Sequence, residues 1–181
     1  MATRVLCLLT DGFEEIEMIT PVDLLRRAGA EVWLMSLTGR LAVRGRCDVV
    51  VQADRLLEAG AEVAHFDLLL IPGGPGVKAL RADGRAAQLA RLFVQQGKLI
   101  GAICAAPTVL ADAGLLEGRR FTAHFSVHGE LPQALGTERV VEDGPLLTSR
   151  GAGTALDFGL ALVRRLFGET KAAEIAAAIM Q

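Results

Sequence analysis

The sequence lacks the features that would direct it to a membrane or to a nucleic acid. No stretch approaches the roughly 18 uncharged apolar residues of a membrane span, and the first apolar run ends at Thr10-Asp11-Gly12, too early for a signal peptide. Positive charge is not in excess either, because the 181 residues carry a formal net charge of −2 and the arginine pairs are isolated. We therefore expect no membrane partner and no sequence-specific nucleic-acid binding.

Cysteine is also scarce. The three cysteines Cys7, Cys47 and Cys104 are an odd number and do not have the spacing of a metal site. A dense, even set would indicate the disulfide framework of a small secreted domain. Free thiols in a reducing compartment are the simpler interpretation, so we expect a cytoplasmic protein.

Apolar residues, in contrast, are abundant. They make up 51% of the chain, which is enough to form the core of one domain over residues 1–181. Short apolar runs such as Val5–Leu9 and Asp67–Ile71 alternate with helical patterns, as is typical of βαβ units around a parallel sheet. The pattern predicts an α/β fold, with a doubly wound, mostly parallel sheet and helices on both faces.

The predicted elements follow from the apolar periodicity and from glycine and proline positions. The predicted strands are 5–9, 32–37, 67–71 and 98–103, with an antiparallel excursion over 41–51 and two short strands near 139–141 and 145–148. The predicted helices are 14–28, with a kink or restart at Pro21, then one helix that follows Gly76 and runs through Gln96, and 105–113, 152–167 and 170–180.

Ligands of open α/β sheets bind beyond the carboxyl ends of the strands, which directs attention to Cys104. This residue follows a strand directly and precedes a helix, with the small residues Ala102 and Ala106 on either side. A sharp strand-to-helix turn would expose its side chain, and the helix N-terminus would lower the thiol pKa. We expect a reactive thiolate here, whereas Cys7, in mid-strand, is expected to be structural.

Two further segments fall at strand ends. The pair Gly73-Gly74 could bring a backbone N–H close to a reacting atom and, with the Ala105 N–H, form an oxyanion hole. A plain tight turn remains an equally open alternative. The acids around Glu17 open the first helix, where such residues usually complement the helix dipole, so the pattern alone does not single one out.

Five motifs stand out along the chain: Thr10–Glu17, Pro72–Gly74, Ala102–Pro107, Thr122–His124 and Leu147–Gly151. Taken together, they resemble the ThiJ/PfpI superfamily, and in particular the branch that includes the parkinsonism-associated protein deglycase and the bacterial chaperone YajL. The resemblance covers nearly the whole chain in order and spacing. The resemblance implies a flavodoxin-like three-layer sandwich that forms a homodimer.

The resemblance also implies roles for single residues. Glu17 would reach Cys104 and donate a hydrogen bond to its thiolate from a protonated carboxyl, and Gly73, Gly74 and Ala105 would supply the oxyanion donors. It places His124 near the cysteine, and it leaves open whether Arg150 shapes the pocket or the dimer edge. Protease-like members carry a histidine directly after the cysteine, where this chain has Ala105, so peptidase activity is not expected.

The expected activity is that of a glutathione-independent glyoxalase or deglycase that needs no metal or other cofactor. Its substrates would be methylglyoxal, glyoxal or their early adducts on proteins or nucleotides, attacked through a hemithioacetal on Cys104. The alternative is an oxidation-sensing redox chaperone that uses a Cys104 sulfinate without significant turnover.

Overall fold

The computed structural model describes residues 2–58 and 63–181. In chain order, the strands are β1 (Arg4–Leu9), β2 (Glu31–Ser36), β3 (Ala42–Arg44), β4 (Val50–Gln52), β5 (Arg55–Leu56), β6 (Leu68–Ile71), β7 (Leu99–Ile103), β8 (Val140–Asp143) and β9 (Leu146–Ser149). The helices are α1 (Glu15–Arg27), α2 (Val77–Asp83), α3 (Arg85–Gln95), α4 (Pro107–Asp112), α5 (Ala155–Phe167) and α6 (Glu169–Ala178). Short 3-10 helices cover Val63–His65, Phe125–Val127 and Ala152–Thr154.

Seven strands form one sheet in the order β5-β2-β1-β6-β7-β9-β8, and β3 and β4 form a separate antiparallel hairpin. All pairings in the large sheet are parallel except the one between β8 and β9. The predicted fold class is therefore confirmed, as are the antiparallel excursion and the two short strands near the C-terminal end. None of the described helices combines the length and apolarity that crossing a bilayer requires.

The continuous apolar run of β1 is explained by burial on both faces of the sheet. Leu6 and Leu8 belong to the core beneath α2, α3 and α4, whereas Val5, Cys7 and Leu9 belong to the core beneath α1, α5 and α6. All five side chains are at most 1% exposed. The helices therefore cover the sheet from both sides, and the molecule has three layers.

Two of the predicted helices have the wrong bounds, and one of the two alternatives at Pro21 is excluded. The single helix through Gln96 is two helices, because Gly84 adopts φ 78°, which ends α2 in the left-handed region that glycine tolerates. The helix after Cys104 begins at Pro107, since proline suits the first helical position and the two alanines before it form the turn. No restart occurs at Pro21, because α1 continues through it while packed against α5.

Four neighbouring strands, β1, β6, β7 and β9, end at the same edge of the sheet. The turns that follow them contain residues 10–14, 72–76, 104–106 and 150–152. Because these turns lie side by side, residues far apart in the chain meet beyond the carboxyl ends of the strands.

Candidate active site

Cys104 lies in the turn directly after β7 and has φ 67°, an unusual conformation for a residue other than glycine. Two backbone hydrogen bonds hold this turn. The Cys104 N–H donates to the Ser149 carbonyl at the end of β9, and the Cys104 carbonyl accepts from the His124 N–H, both at 2.8 Å. A left-handed conformation of this kind costs about 1–2 kcal/mol, so the surrounding structure must impose it. The half-buried thiol is thereby held above the edge of the sheet.

Glu17 reaches the cysteine from the first turns of α1 and is 1% exposed. Its Oε2 accepts a hydrogen bond of 3.0 Å from the Gly73 N–H, and its carboxylate also accepts from the Ala152 N–H and bonds the Cys104 thiol. Glu14 caps the same helix by accepting from the Glu17 N–H at 2.9 Å. Of the acids that open α1, Glu17 is therefore the one that touches the thiol.

The segment after β6 is a tight turn that also supplies backbone N–H groups as hydrogen-bond donors to the site. A Cβ on Gly73 would lie 2.5 Å from Glu17 Oε2 and 2.6 Å from Cys104 Cβ, so a side chain does not fit there. Gly74 has φ 95°, and its N–H hydrogen-bonds the Cys104 sulfur together with the Ala105 N–H. The two interpretations that the sequence left open are therefore compatible.

Burial dominates the electrostatics of the Cys104–Glu17 pair. It raises the pKa of Glu17 to about 7, and the nearby Glu14 charge acts in the same direction. Burial, followed by the charge of Glu17, raises the pKa of the Cys104 thiol to about 12. The predicted lowering of the thiol pKa is wrong, because the N–H groups of Gly74 and Ala105 do not offset burial and a neighbouring carboxylate. Both shifts favour the neutral form of the group concerned.

His124 lies beside this pair without bonding it through its ring. Its Nδ1 accepts from the Ser126 N–H at 3.3 Å, which in the neutral ring leaves the proton on Nε2. Partial burial, with the nearby His128 and Arg46, lowers the pKa of His124, so the ring is neutral at pH 7. Its Cδ2 would lie 3.3 Å from a Cβ on Gly151.

Arg150 is further from the thiol chemistry. Its Nη1 donates to the carbonyls of Gly136 and Thr137, both at 3.1 Å. The residue lines a cavity of about 580 Å³ together with His124, Phe125 and His128. Arg150 therefore lines this cavity, and its place at a dimer edge stays a prediction.

Two hydroxyl residues that the sequence did not suggest support the site from behind. The Ser149 and Thr154 hydroxyls hydrogen-bond each other at 2.6 Å, and Thr154 Oγ1 also donates to the Gly151 carbonyl at 2.9 Å. Both residues are at most 3% exposed. They fix the turn that presents the Ala152 N–H to Glu17. Their nearest signal in the sequence is the Ser149-Arg150-Gly151 motif, which stops short of Thr154.

Comparison with known proteins extends the resemblance along the chain. The sequence model of the DJ-1/PfpI family matches residues 3–165 of this chain. Protein dj-1beta of Drosophila melanogaster is 39% identical over 99% of this chain and 98% of its own, and Parkinson disease protein 7 homolog of Danio rerio is 33% identical over 98% and 96%. The crystal structure of Drosophila DJ-1beta superposes with a TM-score of 0.92, covering 99% and 98% of the two chains. That of oxidized Toxoplasma gondii DJ-1 superposes at 0.91 with 36% identity, covering the same shares.

Proposed function

Because the chain belongs to the DJ-1/PfpI family, we propose that it is a cysteine-dependent, cofactor-free glyoxalase and deglycase. The observation that carries the proposal is a single thiol, Cys104, hydrogen-bonded to a buried carboxyl whose pKa lies near neutrality. A carboxyl with that pKa can both accept and return a proton at pH 7. The residue after the thiol is Ala105, so the adjacent histidine of protease-like members is absent.

The first step forms a hemithioacetal. Cys104 Sγ attacks the aldehyde carbon of the dicarbonyl while its proton passes to the Glu17 carboxylate, so no free thiolate needs to persist in the buried site. The carbonyl π bond becomes an oxyanion, which the N–H groups of Gly74 and Ala105 are positioned to stabilise after release from the sulfur. Glu17 then returns the proton to that oxygen.

The second step moves a proton between the two carbons. Glu17 removes the hydrogen from the former aldehyde carbon to give an enediolate and returns it to the neighbouring carbon. The hydroxyl proton on the former aldehyde oxygen passes to the former ketone oxygen, which gives a thioester of lactate. Water hydrolyses the thioester and releases lactate and the Cys104 thiol, so the overall reaction is the addition of one water to methylglyoxal. His124, neutral and beside the pair, is the available second proton carrier.

The test is the formation of lactate from methylglyoxal without glutathione. We expect lactate from the wild-type protein, and a rate at least a hundredfold lower from Cys104→Ser and from Glu17→Gln, since each removes a group that acts in every turnover. Cys47→Ser is the matched control, because it removes an exposed thiol outside the pair. Equal rates from wild type and Cys104→Ser would exclude the proposal.

A second candidate is an oxidation sensor with chaperone activity. A half-exposed thiol between backbone donors can also hold oxygen atoms, and a relative from Toxoplasma gondii has a structure described as oxidized. Two equivalents of peroxide would convert the thiol to a sulfinic acid and release two waters. A gain of two oxygens at Cys104, with stronger suppression of client aggregation, would support this role. An effect on the client that survives Cys104→Ser would separate it from the site.

We also propose that the protein is a homodimer. Ile16 and Ile19 on α1 are 52% and 45% exposed, and Val49 and Val50 on the neighbouring hairpin are 48% and 52% exposed. A second copy would cover these apolar side chains. We expect sedimentation at twice the chain mass, and dissociation in Ile19→Arg. Leu92→Arg, at an exposed position on α3, is the control that should leave the mass unchanged.

A further inference from the structure

The cavity beside the thiol site is too large for the substrate proposed above. It encloses about 580 Å³, within the range of roughly 300–1,000 Å³ of pockets that bind drug-sized ligands. Methylglyoxal has only five heavy atoms and would leave most of this space empty. His124, Gly151 and Ala152 form the wall that the cavity shares with the Cys104–Glu17 pair, through the contacts described above. Cys104 and Glu17 are not among the residues that line the cavity, so a substituent on a substrate held by the thiol would have to enter it past His124.

The ionisable side chains that line the cavity are all basic residues. Its ionisable residues are Arg139, Arg150 and the histidines at 124 and 128, and no carboxylate is among the described residues that line it. Arg139 is neutralised, because it pairs with Asp157 at 2.6 Å. Arg150 forms no ion pair within residues 2–58 and 63–181, so its charge is balanced only by carbonyl dipoles.

The hydrogen bonds of Arg150 leave part of its guanidinium available. Both carbonyl bonds, to Gly136 and Thr137, are made by Nη1. The Nε and Nη2 donors, which form one edge of the planar fork, have no partner in the described part of the chain. An edge of this kind binds a carboxylate or phosphate with two parallel hydrogen bonds.

Resting on the function proposed above, we propose that this cavity is an anion subsite in which Arg150 binds a carboxylate or phosphate carried by the dicarbonyl substrate. The preferred substrates are then anionic α-oxoaldehydes and anionic adducts rather than methylglyoxal itself. The ring of Phe125 is 77% exposed and its centroid lies 4.1 Å from that of His124, so it forms the apolar rim over which such a substituent would pass.

Three matched α-oxoaldehydes test the proposal: neutral methylglyoxal, dioxovalerate with its carboxylate tail, and the phosphate ester of hydroxypyruvaldehyde. We expect wild type to prefer at least one anionic compound over methylglyoxal by tenfold or more in kcat/KM. Arg150→Gln should reduce that preference by about ten- to a hundredfold, as expected for the loss of a charge-assisted hydrogen-bond pair. Whichever anion shows the larger Arg150-dependent preference identifies the source of the charge.

Two further variants distinguish the effect of the planar guanidinium of Arg150 from the effect of its positive charge. Arg150→Lys should retain only part of the preference, because lysine keeps the charge and loses the planar edge. Arg120→Gln removes an exposed arginine outside the cavity and should leave the preference unchanged. A preference that is the same in wild type and Arg150→Gln would overturn the proposal.

Levulinate, which has the carboxylate tail but no aldehyde, makes the two proposals separable. Its binding is measured by calorimetry on wild type and on Arg150→Gln. Turnover of methylglyoxal without Arg150-dependent binding of levulinate would refute the anion subsite but not the proposed function. Arg150-dependent binding without turnover of any dicarbonyl would support the subsite and remove the proposed function.

Discussion

Replacing Glu17 with glutamine should change how the stability of the protein depends on pH. The side chain is 1% exposed, and burial raises its pKa from the ordinary value of 4.5 to about 7. Since one pKa unit corresponds to about 1.4 kcal/mol, ionised Glu17 costs the folded state about 3 kcal/mol. Glutamine has nearly the same shape and cannot ionise, so it removes this cost.

The sign follows from proton binding. Between pH 4.5 and about 7, the folded protein holds a proton on Glu17 that the unfolded chain has released, so wild-type stability falls as pH rises. Above about pH 8 both states are ionised and the slope disappears. Relative to wild type, Glu17→Gln should therefore gain about 3 kcal/mol between about pH 4.5 and about pH 8. The glutamine NH₂ facing the Gly73 or Ala152 N–H adds a penalty of about 1–3 kcal/mol that does not vary with pH.

The assay is urea unfolding of both proteins at fixed concentration under reducing conditions, across that pH range. The quantity to compare is the difference in the free energy of unfolding, because its change with pH cancels the constant penalty. Glu117→Gln, which removes an exposed carboxylate, controls for the loss of one negative charge. Parallel curves for wild type and Glu17→Gln would refute the assignment of a raised pKa to this buried carboxyl.

Three other predictions concern the same site. The rate at which iodoacetamide alkylates Cys104, followed by peptide mass spectrometry, should increase with pH with a midpoint near pH 7 as Glu17 ionises. Exposed Cys47 is the internal reference. A rate that does not change down to about pH 5 would contradict this. Gly73→Ala should lose most activity and about 1–3 kcal/mol of unfolding free energy, because its Cβ would lie 2.5 Å from Glu17 Oε2; near-normal lactate formation would show that the turn can yield. Thr154→Val should raise the pH midpoint of alkylation, because it loosens the turn that presents the Ala152 N–H to Glu17. Thr154→Ser keeps the hydroxyl and should have the wild-type midpoint. Identical midpoints in all three proteins would show that Thr154 does not position this turn.

The layered fold could be predicted because its causes are local. A run such as Val5–Leu9 is apolar at every position only when both faces of a strand are covered, and the structure buries all five side chains. A single glycine inside a helical pattern is ambiguous, so the end of α2 at Gly84 could not be distinguished from a tolerated glycine. The strand β5 has two residues and leaves no pattern.

The location of the reactive residue could likewise be predicted, but its protonation could not. Its place between a strand and a helix in the sequence singles out Cys104. Its raised pKa comes first from burial and then from the charge of Glu17, and both arise only in the folded chain. The partners of Arg150 similarly depend on how the loop that carries Gly136 and Thr137 packs.

The placement of the site across the ends of four neighbouring strands has a consequence for the newly made chain. Cys104 is synthesised well after Glu17 and before Ala152, whose N–H completes the set of groups around that carboxyl. Until β9 has paired with β7, the Cys104 N–H lacks its Ser149 acceptor and the Glu17 carboxyl lacks the Ala152 N–H. We therefore expect the thiol and the carboxyl of a growing or partly unfolded chain to titrate differently from those of the folded protein.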